Sequence, residues 1–213
     1  MKLSKYVALA KRGYCKVIHV QGSGIWLGLK CAIYRAVELP DIHGEGQARA
    51  VLDIPEKAWG NTFFEEENAE GEHDICGFDM TGGAWELPAE ELELQVNYKG
   101  VQATALRCTN GELLFYDSRM AAPVSDVMRD SEYVQTVIRK RRSGQRVIVI
   151  KDGFEAIAAI MPMKVINSAF LKALSELDSA CVEQYERESK VGLATQEEPA
   201  ISEIGRASCR ERV

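Results

Sequence analysis

The densest chemistry in the chain is the run "RKRRSGQR" at residues 139–146, where Arg139, Lys140, Arg141, Arg142 and Arg146 place five cations in eight positions with no acid among them. Such a cluster neutralises phosphate, and its grip on a polyanion falls steeply as salt rises because counterions are released on binding. It lies between two β-rich runs, so the cations crowd the tip of a predicted hairpin. Successive residues of a strand point to opposite faces, which puts Arg139 and Arg141 on one side and Lys140 and Arg142 on the other. A tip charged on both sides is expected to project into water or against an anion, and a two-stranded ribbon is narrow enough to enter a nucleic-acid groove.

A second chemistry is metal ligation. "DIHGE" supplies Asp41, His43 and Glu45, and "EHDIC" supplies His73, Asp74 and Cys76. Two or three such neighbours in a polar loop can bind a divalent ion only if ligands from elsewhere complete the shell. Nucleophilic catalysis has no local signature here: there is no G-x-S-x-G, no H-E-x-x-H, no phosphate-binding loop and no Cys/His pairing. His19 lies in an apolar strand and reads as a packed residue, and Glu91 and Glu93 fall on the solvent face of another strand. "VIHVQGSGIWLG" carries Gly22, Gly24 and Gly28, but a strand follows where a dinucleotide loop requires a helix N-terminus, so these glycines read as a tight turn. The balance leans away from an enzyme, and no cofactor is implied.

These groups must be held by a body that alternates between two periods. Ser4 suits the cap of a short opening helix that stops at Gly13. "CKVIHV", "GIWLGLK" and "CAIYRAV" are β-rich, "GQARAVLDI" suits a short helix, Pro55 opens another in "PEKAW", and "TFF" reads as a strand. Residues 65–74, "EEENAEGEHD", hold six acids and nothing apolar larger than Ala69, and are expected to form an exposed connector. "ELELQVNY" alternates cleanly, Leu92, Leu94, Val96 and Tyr98 against Glu91, Glu93, Gln95 and Asn97, as a half-buried strand should. Lys99-Gly100 turns into "VQATALRC", which leads to "ELLFYDS", a short helix around Pro123–Met128, and the meander "EYVQTVIRK", "RVIVIKD", "FEAIAAIM". "RVIVI" is apolar on both faces and belongs in mid-sheet or beneath a helix. Asn167 or Ser168 caps a final helix whose Phe170, Leu171, Leu174, Leu177, Cys181 and Tyr185 follow a 3.6-residue period.

With 46% apolar and 27% charged residues the composition is that of a globular protein. No apolar run approaches the roughly 18–20 residues of a bilayer span, so the expectation is a cytoplasmic protein with no membrane contact. The last ten residues, Ile204–Val213, fit the in-frame translation of a short-read sequencing adapter and are set aside as artefact. Without Arg206, Arg210, Arg212 and Glu211 the net charge moves from −6 to −8, which opposes binding to polyanions. Cys15, Cys31, Cys76, Cys108 and Cys181 then remain, odd in number, irregularly spaced and without a C-x-x-C, and are expected to be reduced thiols packed as small hydrophobes.

"GIWLGLKCAIYRAVELP", "AVLDIPEKAW", "LLFYDSRMAAPVSDV" and "KDGFEAIAAIMPMKVIN", in that order, resemble a group of uncharacterised proteins encoded by phages and prophages of gut bacteria, over most of residues 1–185. That resemblance implies an accessory role inside the infected cell and a metagenomic origin, and it brings no activity and no site residues. "AIAAIMPMKV" also resembles the end of the last strand of bacterial DNA polymerase sliding-clamp subunits, although those stop near this strand while the present chain adds a long helix. The expected fold is α+β: antiparallel β-meanders in two β-rich subdomains with short helices and a C-terminal amphipathic helix. The expected boundaries are an N-terminal subdomain 1–64, a connector 65–90, a β-meander subdomain 91–165, a helix 166–190, a disordered tail 191–203 and the artefact 204–213. The first functional reading is a non-enzymatic accessory protein that binds a protein partner, with self-association through the C-terminal helix as one form. The second is nucleic-acid binding through the 139–146 hairpin, and the third is a metal-dependent enzyme.

Overall fold

A computed structural model of the chain describes residues 1–11, 13–70, 85–141 and 144–194. It falls into two units, residues 1–165 and residues from 166 onward. The first unit is α+β, as the sequence implies. Its strands are β1 (Tyr14–Val20), β2 (Gly24–Gly28), β3 (Ala32–Ala36), β4 (Phe63–Ala69), β5 (Leu87–Tyr98), β6 (Val101–Cys108), β7 (Leu113–Asp117), β8 (Val134–Lys140), β9 (Arg146–Asp152) and β10 (Glu155–Ile160). Its helices are α1 (Leu3–Ala10), α2 (Gly44–Val51), α3 (Glu56–Trp59), a 3-10 turn (Ser118–Val124) and α4 (Ser125–Asp130).

The two halves do not form separate sheets. The ten strands of the described residues join in the order β4-β1-β2-β3-β10-β9-β8-β5-β6-β7. The joint is the antiparallel pairing of β3 with β10, in which Ala32, Ile33 and Tyr34 face Ile160, Ala159 and Ala158. Both surfaces at the joint are apolar, so separating the halves would expose them, and this is why two expected subdomains become one sheet. The expected connector differs for a related reason. Residues 65–69 continue "TFF" as β4, which runs parallel to β1 from Tyr14↔Phe63 to Val20↔Ala69. Alternation divides the acids: Glu65 and Glu67 lie on one face with Lys16, and Glu66 turns to the other. Residues 71–84 of that stretch lie outside the described residues, and 87–90 already belong to β5.

Each face of the sheet carries its own core. One side gathers Cys15, Val17, Ile25, Leu27, Tyr34, Ile138, Ile148, Ile150, Ala158 and Ile160 with Tyr6 and Ala10 of α1, Ala48 of α2 and Trp59 of α3. The Tyr6 hydroxyl donates to the Gly28 carbonyl at 2.9 Å and the Tyr34 hydroxyl to the Met120 carbonyl at 2.7 Å, which ties α1 and the 3-10 turn to the sheet. The other side gathers Ile18, Trp26, Ile33, Val137, Val147, Val149 and Ala159. β9 contributes to both clusters from mid-sheet, as its doubly apolar sequence requires. Gly28 is set by close approach, because a Cβ there would stand 3.0 Å from Lys16 Cβ.

The β5–β6 hairpin turns at Lys99 (φ 51°) and Gly100 (φ 77°), the paired left-handed geometry that matches strand twist in a two-residue turn. Beyond Glu91 the register of β5 shifts, and Leu94 is exposed rather than half-buried. The alternation in "ELELQVNY" therefore describes a twisted ribbon more than a core strand. Cys15, Cys31, Cys108 and Cys181 are free thiols.

A single sheet should open as a single unit. Native-state hydrogen exchange is expected to give slow amides in β1–β3 and in β8–β10 the same opening free energy and the same denaturant dependence. Two distinct values would mean that the halves unfold independently.

Candidate functional site

The basic hairpin is built by β8 and β9, paired from Val134↔Asp152 to Lys140↔Arg146. It does not present five free cations. Arg139 is buried, with 2% of its side chain exposed. Its Nε donates to Glu86 Oε1 at 2.8 Å and Nη2 donates to the same oxygen, while Lys151 Nζ donates to Glu86 Oε2 at 3.1 Å. Arg146 is paired with Glu112, in the turn between β6 and β7. Arg141 Nη1 donates to Gln145 Oε1 at 3.0 Å, Lys140 is exposed, and Arg142 lies outside the described residues. The expectation that the tip is charged on both faces and unpacked fails at Arg139, because an acid 53 residues upstream, invisible to local spacing, neutralises it.

Burial alone would raise the Glu86 pKa, but the hydrogen bonds and charge of Arg139 and Lys151 outweigh it and hold the carboxyl below the usual range. Among the described residues Arg139 Nη1 is buried with no hydrogen-bond partner, so the guanidinium depends on Glu86 for compensation.

The metal-ligand sets are rearranged. His43 stays a candidate, but its neighbours are not those of its own loop. His19 Nε2 lies 3.0 Å from Glu66 Oε1, His43 Nδ1 lies 3.6 Å from the same oxygen, and the His19 and His43 rings stack at 4.9 Å. Glu45 instead accepts a hydrogen bond from Trp59 Nε1 at 2.5 Å, which fastens α2 to α3. Asp41 lines an open cleft of about 320 Å³ together with His19, Gln21, Asn68 and Glu70. His73, Asp74 and Cys76 lie outside the described residues. His19 and Glu66 were missed because one looked like a core residue and the other like part of a solvated acid run; the signal that finds them is the continuation of "TFF" into "EEEN" as a paired strand.

Elsewhere, Asp117 holds Arg119 through Nε and Nη2, at 2.9 and 2.6 Å, beside Cys31 in a cleft of about 300 Å³. Burial pushes the thiols of Cys15, Cys31 and Cys108 up, so none of the three is a ready thiolate at neutral pH.

The second unit contributes α5 (Ser168–Ala194), capped by Asn167, whose Oδ1 accepts from the backbone N–H groups of Ala169 and Phe170 at 3.1 Å each. Every residue from 171 to 190 is exposed, among them Leu171, Leu174, Leu177, Cys181, Val182 and Tyr185. No described helix is long and apolar enough to cross a membrane. Comparison with protein-family models, with curated proteins and with solved structures returned no match.

Replacing Glu86 by Ala strands a buried arginine and is expected to cost about 3–5 kcal/mol, whereas the pair Glu86→Leu with Arg139→Met should recover most of it. Because the folded pKa of Glu86 is depressed, its contribution is full above the ordinary carboxyl range and is lost as pH falls through the lowered folded value. Chemical denaturation between about pH 7 and pH 3 should show wild type losing more stability than Glu86→Ala. Parallel losses would remove the ion pair from the account.

Proposed function

We propose that the protein acts by binding another protein, as a non-enzymatic accessory factor of the phage or prophage kind that its sequence resembles, working in the cytoplasm. The observation that carries this reading is α5. It has 27 residues, and from 171 to 190 every side chain is exposed while the apolar ones keep a helical stripe. Helices in water draw most of their stability from packing an amphipathic face rather than from intrinsic propensity. A stripe holding three leucines, a valine and a tyrosine, each at least half exposed, is surface held ready for a partner.

Paired charges flank the stripe, Lys172 with Glu176 and Arg187 with Glu183, each four residues apart. They stabilise the helix in isolation by only a few tenths of a kcal/mol per pair. Their larger effect is to keep the polar face wet, which leaves one face for docking. A partner that fits offers a second amphipathic helix or an apolar groove, read at i, i+3, i+4 and i+7 spacing. A second copy of the chain is the partner to test first. Nucleic-acid binding, including a sliding-clamp-like role, has less support, since Arg139 and Arg146 are already committed to Glu86 and Glu112.

Light scattering across a roughly hundredfold concentration range, with a pull-down from infected cells, tests this. Wild type is expected to self-associate or to retain a partner, and Leu174→Glu with Leu177→Glu to abolish both while the sheet unfolds at the same denaturant concentration. A chain that stays monomeric and retains nothing, or a double variant that binds as wild type does, would sink the reading.

A further inference from the structure

Two of the chain's three histidines meet one carboxylate at a corner of the sheet. His19 stands near the end of β1, Glu66 stands on β4, and His43 is the residue that opens α2. The parallel register sets Val17 beside Glu66 and His19 beside Asn68, so His19 and Glu66 emerge as diagonal neighbours on one face. The chain returning from β3 then brings His43 against both. Three elements that are separate in sequence thus deliver two imidazoles and a carboxylate to one point, and all three ligand atoms lie within 4.8 Å of one another.

The spacing suits a small ion. A tetrahedral metal with ligands about 2.0–2.2 Å away holds them about 3.3–3.6 Å apart. The two nitrogen-to-oxygen separations, 3.0 and 3.6 Å, bracket that range. His43 can close the remaining edge by turning its ring, because 69% of its side chain is exposed, whereas His19 and Glu66 are held at 16% and 29%.

Outer contacts orient the set. The Gly44 N–H donates to Glu66 Oε2 at 2.8 Å, which orients the carboxylate and leaves Oε1 turned toward the two imidazoles. The His43 N–H donates to Gln47 Oε1 at 2.8 Å and fixes the loop. Contacts of this kind are what preorganise a metal site. His19 also lines the open cleft, where Asp41, Gln21, Asn68 and Glu70 stand beside Val20, Ile25 and Ala69, a space of mixed polarity with room for water or a small ligand.

We propose that His19, His43 and Glu66 form a three-ligand site for a divalent transition metal of the zinc class, with the remaining position open to solvent or to a ligand in the cleft. Two imidazoles exclude magnesium and calcium, which take oxygen ligands. A site with three protein ligands keeps an exchangeable position, unlike the closed four-ligand sites that only staple a fold. This site is independent of the contact assigned to α5.

The test uses the full chain, stripped with chelator and titrated with Zn2+ and with Co2+ as a spectroscopic reporter. One equivalent is expected to bind at micromolar Kd or tighter and to raise the thermal midpoint. The Co2+ spectrum should lack the sulfur-to-metal charge-transfer band of thiolate ligation. His43→Ala, chosen because that side chain is exposed and its loss leaves the fold intact, should weaken binding about tenfold or more, and Glu66→Gln should do the same. No binding up to about 100 μM metal, a thiolate band, or unchanged affinity in both variants would each overturn the proposal.

Discussion

The arrangement of this protein rests on three residue pairs between β3 and β10. Ala32, Ile33 and Tyr34 face Ile160, Ala159 and Ala158 there, and apart from Ile33 and Ile160, each about 1% exposed, every one is fully buried. Small side chains at the centre of the joint let the sheet be covered closely on both sides. On one side Tyr34 reaches the Met120 carbonyl of the 3-10 turn, so the pairing that joins the halves also anchors the segment leading into α4. Remove that joint and the two apolar clusters would each be cut in half. The sheet's continuity is therefore an energetic requirement of burial.

Charge inside such a sheet is tolerated only where it is matched. Lys16 and Arg139 stand on the face that also carries Ile18 and Val147, and both are almost wholly buried. Lys16 is answered by Glu65 and Glu67 of β4, and Arg139 by Glu86 immediately before β5. In each case the acid arrives from an element far away in sequence. Burying an arginine costs several kcal/mol unless its partner is in place, so these pairs also fix register: a one-residue slip of β4 would turn Glu65 and Glu67 away from Lys16 and put Glu66 in their place.

The elements were legible in the sequence almost throughout, because period-2 runs and turn residues are local. The apolar character of "RVIVI" places β9 in mid-sheet, and Lys99-Gly100 marks the turn between β5 and β6. What was not legible is pairing. Nothing in "CAIYRAV" announces β10 as its neighbour, and nothing in "RKRRSGQR" reveals that Glu86 will claim Arg139. The acid run misled for a different reason: three consecutive glutamates look solvated when counted and look different when alternation assigns them to opposite faces. Of the residues that spacing offers as metal ligands, His43 meets His19 and Glu66, which spacing did not offer, since side chains converge through topology and not through proximity in sequence. The stripe of α5 was legible outright.

The edges of the sheet explain why the proposed partner contact falls on α5. A free edge strand is a template for pairing with another chain, and proteins blunt it with charge or cover it. β4, at one edge, carries Glu65, Glu66 and Glu67 in succession, so a strand docking there would meet three carboxylates already committed to Lys16, His19 and Gly44. β7, at the other edge, is met by the segment after β10, where the Met163 N–H donates to the Phe115 carbonyl at 2.6 Å. Association by strand addition is thus opposed at one edge by charge and obstructed at the other by the chain itself. The apolar surface that remains in helical register is the stripe from Leu171 to Tyr185, and its chemistry selects a partner that reads a helix face.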